Sequence, residues 1–277
     1  MRREGYGDKV VASRALVRKV SRMDETTLAN RTAWDKAYQT QQLHAYDEML
    51  AEAATGVTLV ASERELLQDI LAEWPVVVHP QSGNGQDDIA LVQAGAREVI
   101  GVDYSETAVR AAQRRADDLG VACRYVIATV PGVPLLDGCA DLVYTGKGAL
   151  IWMPDIDAWA VEMARLLRPG GHLFLHEGHP ATELWTWDLD EPRIRSDRSY
   201  FGRSFVCDDY SFPANGAVMW QWTLGQTVTA VVRAGLEVRR LEEYAEPFWR
   251  MGDIDAAAFR GRLPNAFALL ASRPAAS

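Results

Sequence analysis

One stretch, from Val76 to Ser105, constrains the fold of this chain more than any other, and it reads VVVHPQSGNGQDDIALVQAGAREVIGVDYS. Its opening valines are typical of a buried strand, and a loop with Gly83 and Gly85 follows them. A short apolar-periodic segment predicts a helix, and a second strand then ends at Asp103. The order strand, glycine turn, helix, strand and acid is typical of a nucleotide-type cofactor pocket in an α/β sheet.

The glycine spacing favours a cofactor that has no pyrophosphate. A dinucleotide site typically contains G-x-G-x-x-G, and the third glycine would fall at Asp88. A carboxylate near the start of the helix would also repel a pyrophosphate. Asp103 can still accept hydrogen bonds from ribose hydroxyls. These features favour S-adenosyl-L-methionine, which carries an adenosine and no phosphate, over NAD or FAD.

The chain resembles the class I S-adenosylmethionine-dependent methyltransferases of the small-molecule type over roughly residues 30–272. Four blocks match in the family's order: HPQSGNG, GVDYS, RYVIATVPGVPLLDGCADLVYTGKGAL and MARLLRPGGHLFLHEGHP. The resemblance implies a doubly wound, seven-stranded, mostly parallel α/β sheet of the Rossmann-like methyltransferase fold. Helices are predicted before the first strand, and the chain is expected to depart from the simple fold by an insertion after the fifth strand.

Three positions depart from the family pattern. His79 stands where an acid usually closes the first strand, and Gln81 replaces the first glycine of the loop. Thr129 stands where an Asp commonly meets the adenine amino group. Two interpretations follow, a reshaped cofactor loop or a protein that binds the cofactor weakly.

Ligands of open α/β sheets bind past the carboxyl ends of the strands, which locates the predicted cofactor residues. Asp103 is expected to bind the ribose hydroxyls, and Tyr104 to lie against the adenine. Lys147 is expected either to pair with the methionine carboxylate or to be a solvated surface lysine. The whole predicted set is His79, Gln81, Ser82, Gly83, Gly85, Asp103, Tyr104, Ser105, Thr129, Val130, Thr145 and Lys147.

The catalytic residues are predicted to follow the fifth strand, and they are His179, Glu177 and His176. Histidine titrates near neutrality, so His179 is the first candidate for a general base. The alternative is that these side chains only form hydrogen bonds that shape the loop. No metal is predicted, because a strand end with one nearby carboxylate lacks the ligands of a dedicated site.

Two segments are predicted to build the acceptor pocket. NRTAWDKAY places Asn30, Trp34 and Tyr38 on one helical face, either as a lid over the cofactor or as plain packing. Residues 178–216 are rich in aromatics and lack periodicity, which is typical of a functional loop. Aromatic rings suit a flat or apolar acceptor and attract a sulfonium. The predicted pocket residues are Trp34, Tyr38, Trp152, Trp185, Trp187 and Tyr200.

The predicted division is an N-terminal helical lid over 1–60 and a catalytic domain over 61–277, with the insertion 178–216 forming part of the substrate pocket. Helices are expected to begin at Ser62, which opens a capping box, at Ser105 and at Asp157.

Charge and composition narrow the choice of partners and location. The net charge of −9 disfavours nucleic acid, and no apolar run approaches the ~20 residues that span a bilayer. Three scattered cysteines and no apolar signal core predict a reduced, cytoplasmic protein. Residues 1–22 hold seven basic and two acidic residues. This segment is interpreted as a solvated helix face, a docking arm in a homo-oligomer, or a tail.

The predicted function is transfer of a methyl group from S-adenosylmethionine to an O, N or C atom of a small molecule, such as an aromatic or heterocyclic metabolite. Two alternatives stay open. One is a non-methylating reaction such as a cyclisation on the same cofactor fold, and the other is a non-catalytic partner protein with a decayed pocket.

Overall fold

The computed structural model describes residues 24–185, 193–207, 216–247 and 262–275. In chain order the described elements are α1 (Glu25–Thr55), α2 (Ala61–Ala72), β1 (Val76–Pro80), α3 (Gln86–Gln93), β2 (Glu98–Asp103), α4 (Glu106–Leu119), β3 (Cys123–Ile127), β4 (Ala140–Gly146), α5 (Ile156–Leu166), β5 (Leu167–Gly178), β6 (Ser204–Val206), β7 (Val218–Trp220), α6 (Leu224–Arg233), β8 (Glu237–Tyr244) and β9 (Ala266–Ser272). Short 3-10 turns cover Leu150–Trp152 and Thr182–Leu184.

The seven-stranded sheet has the order β3-β2-β1-β4-β5-β9-β8. Strands β1 to β5 pair in parallel, and β9 is antiparallel to both of its neighbours. The predicted sheet is therefore confirmed. The strand order reverses between β1 and β4, and ligands of such sheets bind at the carboxyl ends beside this switch point.

Apolar side chains cover both faces of the sheet because successive strand residues point to opposite sides. Val78 packs with Trp159 of α5 and Val231 of α6 on one face. Val77 packs with Leu67 of α2 on the other. Fully burying a side chain of this kind contributes roughly 1.5–3 kcal/mol, so these two layers hold the strand ends in place.

Two helices begin two residues before their predicted starts. The N-cap of α2 is Val60 and not Ser62, because the carboxylate of Glu63 accepts the Val60 backbone N–H at 2.8 Å. The N-cap of α5 is Asp155 and not Asp157, and its carboxylate accepts a backbone N–H from the first turn. In both cases the predicted cap, Ser62 or Asp157, has a side chain suited to capping but is the second residue of the helix.

Helix α1 runs through one interruption at Ala45, where φ is −139° and ψ is 16°. Its second half packs against α3 and α4, and its first half reaches the hairpin of β6 and β7. The amide of Asn30 donates to the carbonyl of Val218 at 3.0 Å and accepts its N–H at 2.8 Å. These two bonds tie the start of α1 to the segment inserted after β5.

The predicted division at residue 60 stays a prediction, and the basic segment 1–22 lies outside the described residues. No helix within the described ranges is both long and apolar enough to cross a membrane.

Candidate active site

The loop between β1 and α3 keeps a backbone shape that favours glycine. Gly83 and Gly85 have φ of +55° and +78°, and a Cβ on Gly83 would lie 2.7 Å from the Tyr38 hydroxyl oxygen. Gln81 has φ of +62°, a region that side chains rarely adopt. Its amide donates to the carbonyl of Ala149 at 2.8 Å and so holds this conformation. The loop is therefore reshaped at Gln81 without losing its left-handed turn.

Asp103 joins this loop to the end of β2. Its two carboxylate oxygens accept the backbone N–H of Gly83 at 3.0 Å and of Ser105 at 2.8 Å. Burial raises the pKa of Asp103 to about 6, although these two N–H groups oppose the shift. A carboxylate oxygen can accept more than one hydrogen bond, so each oxygen of Asp103 can also accept a hydroxyl group.

Two further polar atoms of the loop are buried without a hydrogen-bond partner among the described residues. They are Oε1 of Gln81 and Oγ of Ser82. A buried polar atom without a partner costs roughly 1–3 kcal/mol, so these atoms fit a loop that completes its bonds with a ligand. Together with Asp103 they suit an adenosine-type cofactor that carries hydroxyl and amino groups.

His79 and Asp88 form a buried pair behind the loop. The Nδ1 atom of His79 lies 2.6 Å from the Asp88 carboxylate, and both residues are buried. The ring of Tyr144 lies edge-on to His79 with the ring centroids 4.8 Å apart. The carboxylate that disfavours a pyrophosphate is thus turned toward the histidine. A contact between His79 and the cofactor stays a prediction.

Lys147 is not a solvated surface lysine, because its ammonium has internal partners. Its ammonium donates to the carbonyl of Thr58 at 2.6 Å and lies 2.8 Å from Asp87 and 3.1 Å from Glu63. Burial alone would lower the pKa of Lys147, but the two carboxylates outweigh it and raise the pKa. The pKa of Glu63 is about 2, because His176 and Lys147 overcome the effect of its burial. The solvated alternative is therefore wrong, whereas pairing of Lys147 with the methionine carboxylate stays a prediction.

Two other predicted cofactor residues use their hydroxyls inside the protein. Ser105 caps α4, as predicted, by accepting the N–H of Ala108 at 3.2 Å, and its hydroxyl donates to Asp35. Thr145 is fully buried, and its hydroxyl donates to the carbonyl of Pro80 at 3.3 Å. Their side chains therefore hold the edge together. The contacts predicted for Tyr104, Thr129 and Val130 stay predictions.

The three residues predicted to be catalytic have internal partners. Glu177 accepts three backbone N–H groups from residues 148–150. His176 is buried with Nδ1 3.4 Å from Glu63. In His179, Nδ1 accepts the N–H of Ala181 at 3.1 Å, and Nε2 lies 2.9 Å from Glu243.

These bonds favour the loop-shaping alternative, and a base role for His179, Glu177 or His176 stays a prediction. Burial lowers the pKa of His179, while Glu243 opposes this shift, and both ring nitrogens have internal partners. The carboxylate of Glu177 is already held by three backbone donors. The loop-shaping alternative describes both residues.

Three of the predicted pocket aromatics meet at this edge. Trp34 stacks on Tyr38 with ring centroids 5.4 Å apart, and it lies edge-on to Trp152 at 5.5 Å. Trp152 also packs with Met219 of β7. Helix α1, the turn after β4 and the inserted hairpin therefore share one aromatic cluster, Trp34, Tyr38 and Trp152, at the carboxyl ends of the strands.

The other predicted pocket residues are placed differently. Trp185 forms a single bridge with Ile194, and the Tyr200 hydroxyl accepts the N–H of Leu224 at the start of α6 at 3.3 Å. Trp187 lies outside the described residues. No motif pointed to Asp35, which follows Trp34 directly and whose carboxylate accepts the hydroxyl of Ser105. Within the described ranges, no three His, Cys, Asp or Glu side chains are grouped to hold a metal.

Residues 77–171 match the family model described as a methyltransferase domain. The chain is 32% identical over 148 residues to a release factor glutamine methyltransferase of Mycobacterium leprae, covering 43% of this chain and 51% of that protein. It is 32% identical over 149 residues to nocamycin O-methyltransferase of Saccharothrix syringae, covering 51% and 52%. The chain thus spans about half the length of these curated relatives.

A solved structure supports the fold over a larger share of the chain. An S-adenosylmethionine dependent methyltransferase from Mesorhizobium loti matches with a TM-score of 0.60 at 22% identity, covering 77% of this chain and 98% of that one. The sheet therefore has the fold of this solved structure, and residues 77–171 within it match a methyltransferase domain. The match to a methyltransferase domain and the shared fold both agree with the resemblance that the motifs indicate.

Proposed function

We propose that this chain transfers the methyl group of S-adenosylmethionine to an oxygen, nitrogen or carbon atom of a small molecule. The observation that carries the proposal is the carboxylate of Asp103, which is held by Gly83 and Ser105 at the carboxyl end of β2. It combines a fixed position with free acceptor capacity for two ribose hydroxyls. The relatives that match, one of them an O-methyltransferase, support the same reaction class.

The residues around the glycine loop fit this cofactor. Asp103 would bind the ribose, and Tyr104, Thr129 and Val130 would border the adenine. Oε1 of Gln81 and Oγ of Ser82 would gain the partners that they lack among the described residues. When bound, the cofactor supplies an electrophilic methyl group on a sulfonium.

The chain's own part in the reaction would be positioning and exclusion of water. Trp34, Tyr38 and Trp152 form an apolar wall, and aromatic faces attract a sulfonium by about 0.5–2 kcal/mol. Since His179 and Glu177 have internal partners, the rate would depend on alignment of the acceptor with the methyl group. Such a site suits an acceptor that is already deprotonated or is a neutral nitrogen.

The affinity for the cofactor is expected to depend on pH through Asp103. Its pKa of about 6 means that the carboxyl is protonated below that pH, and a protonated carboxyl loses acceptor capacity for the ribose. Affinity should be constant above pH 7 and fall roughly tenfold for each pH unit below 6. Calorimetry at several pH values checks this. The Asp103→Asn variant should bind weakly without that slope, and an equal slope in the variant would assign it to another group.

The aromatic side chains of α1 are proposed to act as a lid over the cofactor. Replacing both Trp34 and Tyr38 with alanine should weaken cofactor binding roughly 10- to 100-fold, because the ring of Tyr38, which lies against Gly83, and the ring of Trp34, which stacks on it, are lost. The matched control is Lys36→Ala with Gln39→Ala, two exposed positions of the same helix. If both double variants bind like the wild type, the aromatics serve packing alone.

Methyl transfer itself is tested with cofactor that carries a deuterated methyl group. The full chain is incubated with panels of hydroxylated, amine and heterocyclic acceptors, and products are measured by mass spectrometry. A labelled methyl in a product, absent with Asp103→Ala, supports the proposal. An unlabelled, rearranged product would favour the non-methylating alternative. Cofactor binding without any product across the panels would favour a non-catalytic protein.

A further inference from the structure

Glu177, the penultimate residue of β5, is anchored on three consecutive backbone amides. Its carboxylate accepts the N–H groups of Gly148 at 2.8 Å, Ala149 at 2.6 Å and Leu150 at 2.8 Å. The side chain is 2% exposed. Successive amides that converge in this way form a binding site for an anion. Here the protein fills that site with its own carboxylate.

The backbone around this contact has little freedom. A Cβ on Gly146 would collide with the backbone of His176, and Gly148 has φ of +94°. The backbone N–H of Lys147 also donates to the carbonyl of His176 at 2.6 Å. The loop after β4 can therefore follow its path only while it stays close to the end of β5.

The same loop contacts two elements of the cofactor edge. The carbonyl of Ala149 accepts the side-chain amide of Gln81, which belongs to the glycine loop. The turn that follows places the ring of Trp152 edge-on to Trp34 of α1. A displacement of residues 148–150 would therefore reach both the glycine loop and the aromatic wall.

The amides of residues 148–150 stabilise the negative charge of the Glu177 carboxylate. Within the described part of the chain, no lysine or arginine lies within ion-pair distance of its carboxylate. Burial raises the pKa of Glu177, and the backbone N–H groups oppose this shift. Only the ionised group accepts at both oxygens without placing its own proton against an N–H.

We infer that Glu177 is a positioning residue: its carboxylate fixes residues 148–152, and through Gln81 and Trp152 it sets the shape of the cofactor pocket. This role differs from proton transfer, because the carboxylate acts through the backbone amides that it holds. The inference rests on the proposed function for its effect on cofactor binding, whereas the effect on the loop is independent of it.

Chemical rescue tests the positioning role. Glu177→Ala should weaken S-adenosylmethionine binding about 10- to 100-fold, since the apparent affinity falls in proportion to the fraction of molecules that keep the binding-competent loop. Acetate should restore much of the affinity by occupying the three vacated amides, and chloride at equal ionic strength should not. Glu177→Gln should also bind weakly, but acetate should not help, because the side chain still fills the space.

The matched control is Asp141→Ala. Asp141 also accepts a backbone N–H, that of Val76 at 2.7 Å, but at the opposite edge of the sheet. The Asp141→Ala variant should keep the wild-type affinity for S-adenosylmethionine with or without acetate. Wild-type affinity in Glu177→Ala, or a loss that acetate leaves unchanged, would overturn the inference.

Hydrogen exchange of the cofactor-free protein separates the two proposals. In Glu177→Ala, peptides that cover residues 147–152 and 81–85 should exchange faster, and acetate should slow them again. Faster exchange spread evenly over the sheet would show general destabilisation and overturn the positioning role. If the wild type binds no cofactor, the proposed function fails, and this exchange pattern still decides the role of Glu177.

Discussion

Replacing Lys147 with methionine is expected to lower the free energy of unfolding by about 3–5 kcal/mol, the usual cost of removing one partner from a buried ion pair. The ammonium of Lys147 is the cation beside Glu63 and Asp87, and Glu63 is fully buried. Methionine fills similar space but removes the ammonium that both carboxylates contact, so Asp87 loses this ion pair and Glu63 keeps His176 and its hydrogen bonds. Urea unfolding followed by circular dichroism measures the loss.

An exposed ion pair provides the comparison for Lys147. Arg110 pairs with Glu106 one turn away on α4, and both side chains are largely exposed. Arg110→Met should change the free energy of unfolding by about 0.5 kcal/mol or less. A loss below about 1 kcal/mol in Lys147→Met would mean that Glu63 and Asp87 find other compensation, contrary to the arrangement described.

Replacing Asp103 with alanine is expected to weaken binding of S-adenosylmethionine by about 2–4 kcal/mol. Two charge-assisted hydrogen bonds to the ribose are each worth roughly 1.5–3 kcal/mol, and water replaces part of them. The variant also leaves the N–H groups of Gly83 and Ser105 without their acceptor, which loosens the loop. Isothermal calorimetry gives the affinity, and circular dichroism checks that the fold is intact.

Asp141→Ala again serves as the control, because it removes a carboxylate that accepts a backbone N–H far from the cofactor edge. Its affinity should equal that of the wild type. If Asp103→Ala also keeps wild-type affinity in a folded protein, the ribose does not bind at β2.

Much of the fold could be predicted because its signals are local. The valines of β1, the glycine turn and the acid at the end of β2 fix a parallel unit, and Gly120 and Gly235 end helices at left-handed positions. Once parallel strands are placed, the edge that holds the site follows from topology. The aromatic face of α1 could also be predicted from a local signal, because Trp34 and Tyr38 are spaced four residues apart as on one face of a helix.

The internal partners of polar side chains could not be predicted in this way. Lys147 contacts Glu63 of α2 and Asp87 of α3, residues far away in the sequence. Residue type suggested acid–base chemistry for His179, but Glu243, from a strand later in the chain, occupies one of its nitrogens. Strand ends show where functional groups gather, whereas tertiary contacts decide which of them remain available.

Calorimetric titration of the full chain with S-adenosylmethionine tests the central claim most directly. We expect one binding site per chain, competition by S-adenosylhomocysteine, and an affinity at least about 30-fold lower in Asp103→Ala, the lower limit of the 2–4 kcal/mol range expected for two ribose hydrogen bonds. Absence of binding by the folded wild type, or equal binding by the variant, would contradict a cofactor site built on the glycine loop and Asp103.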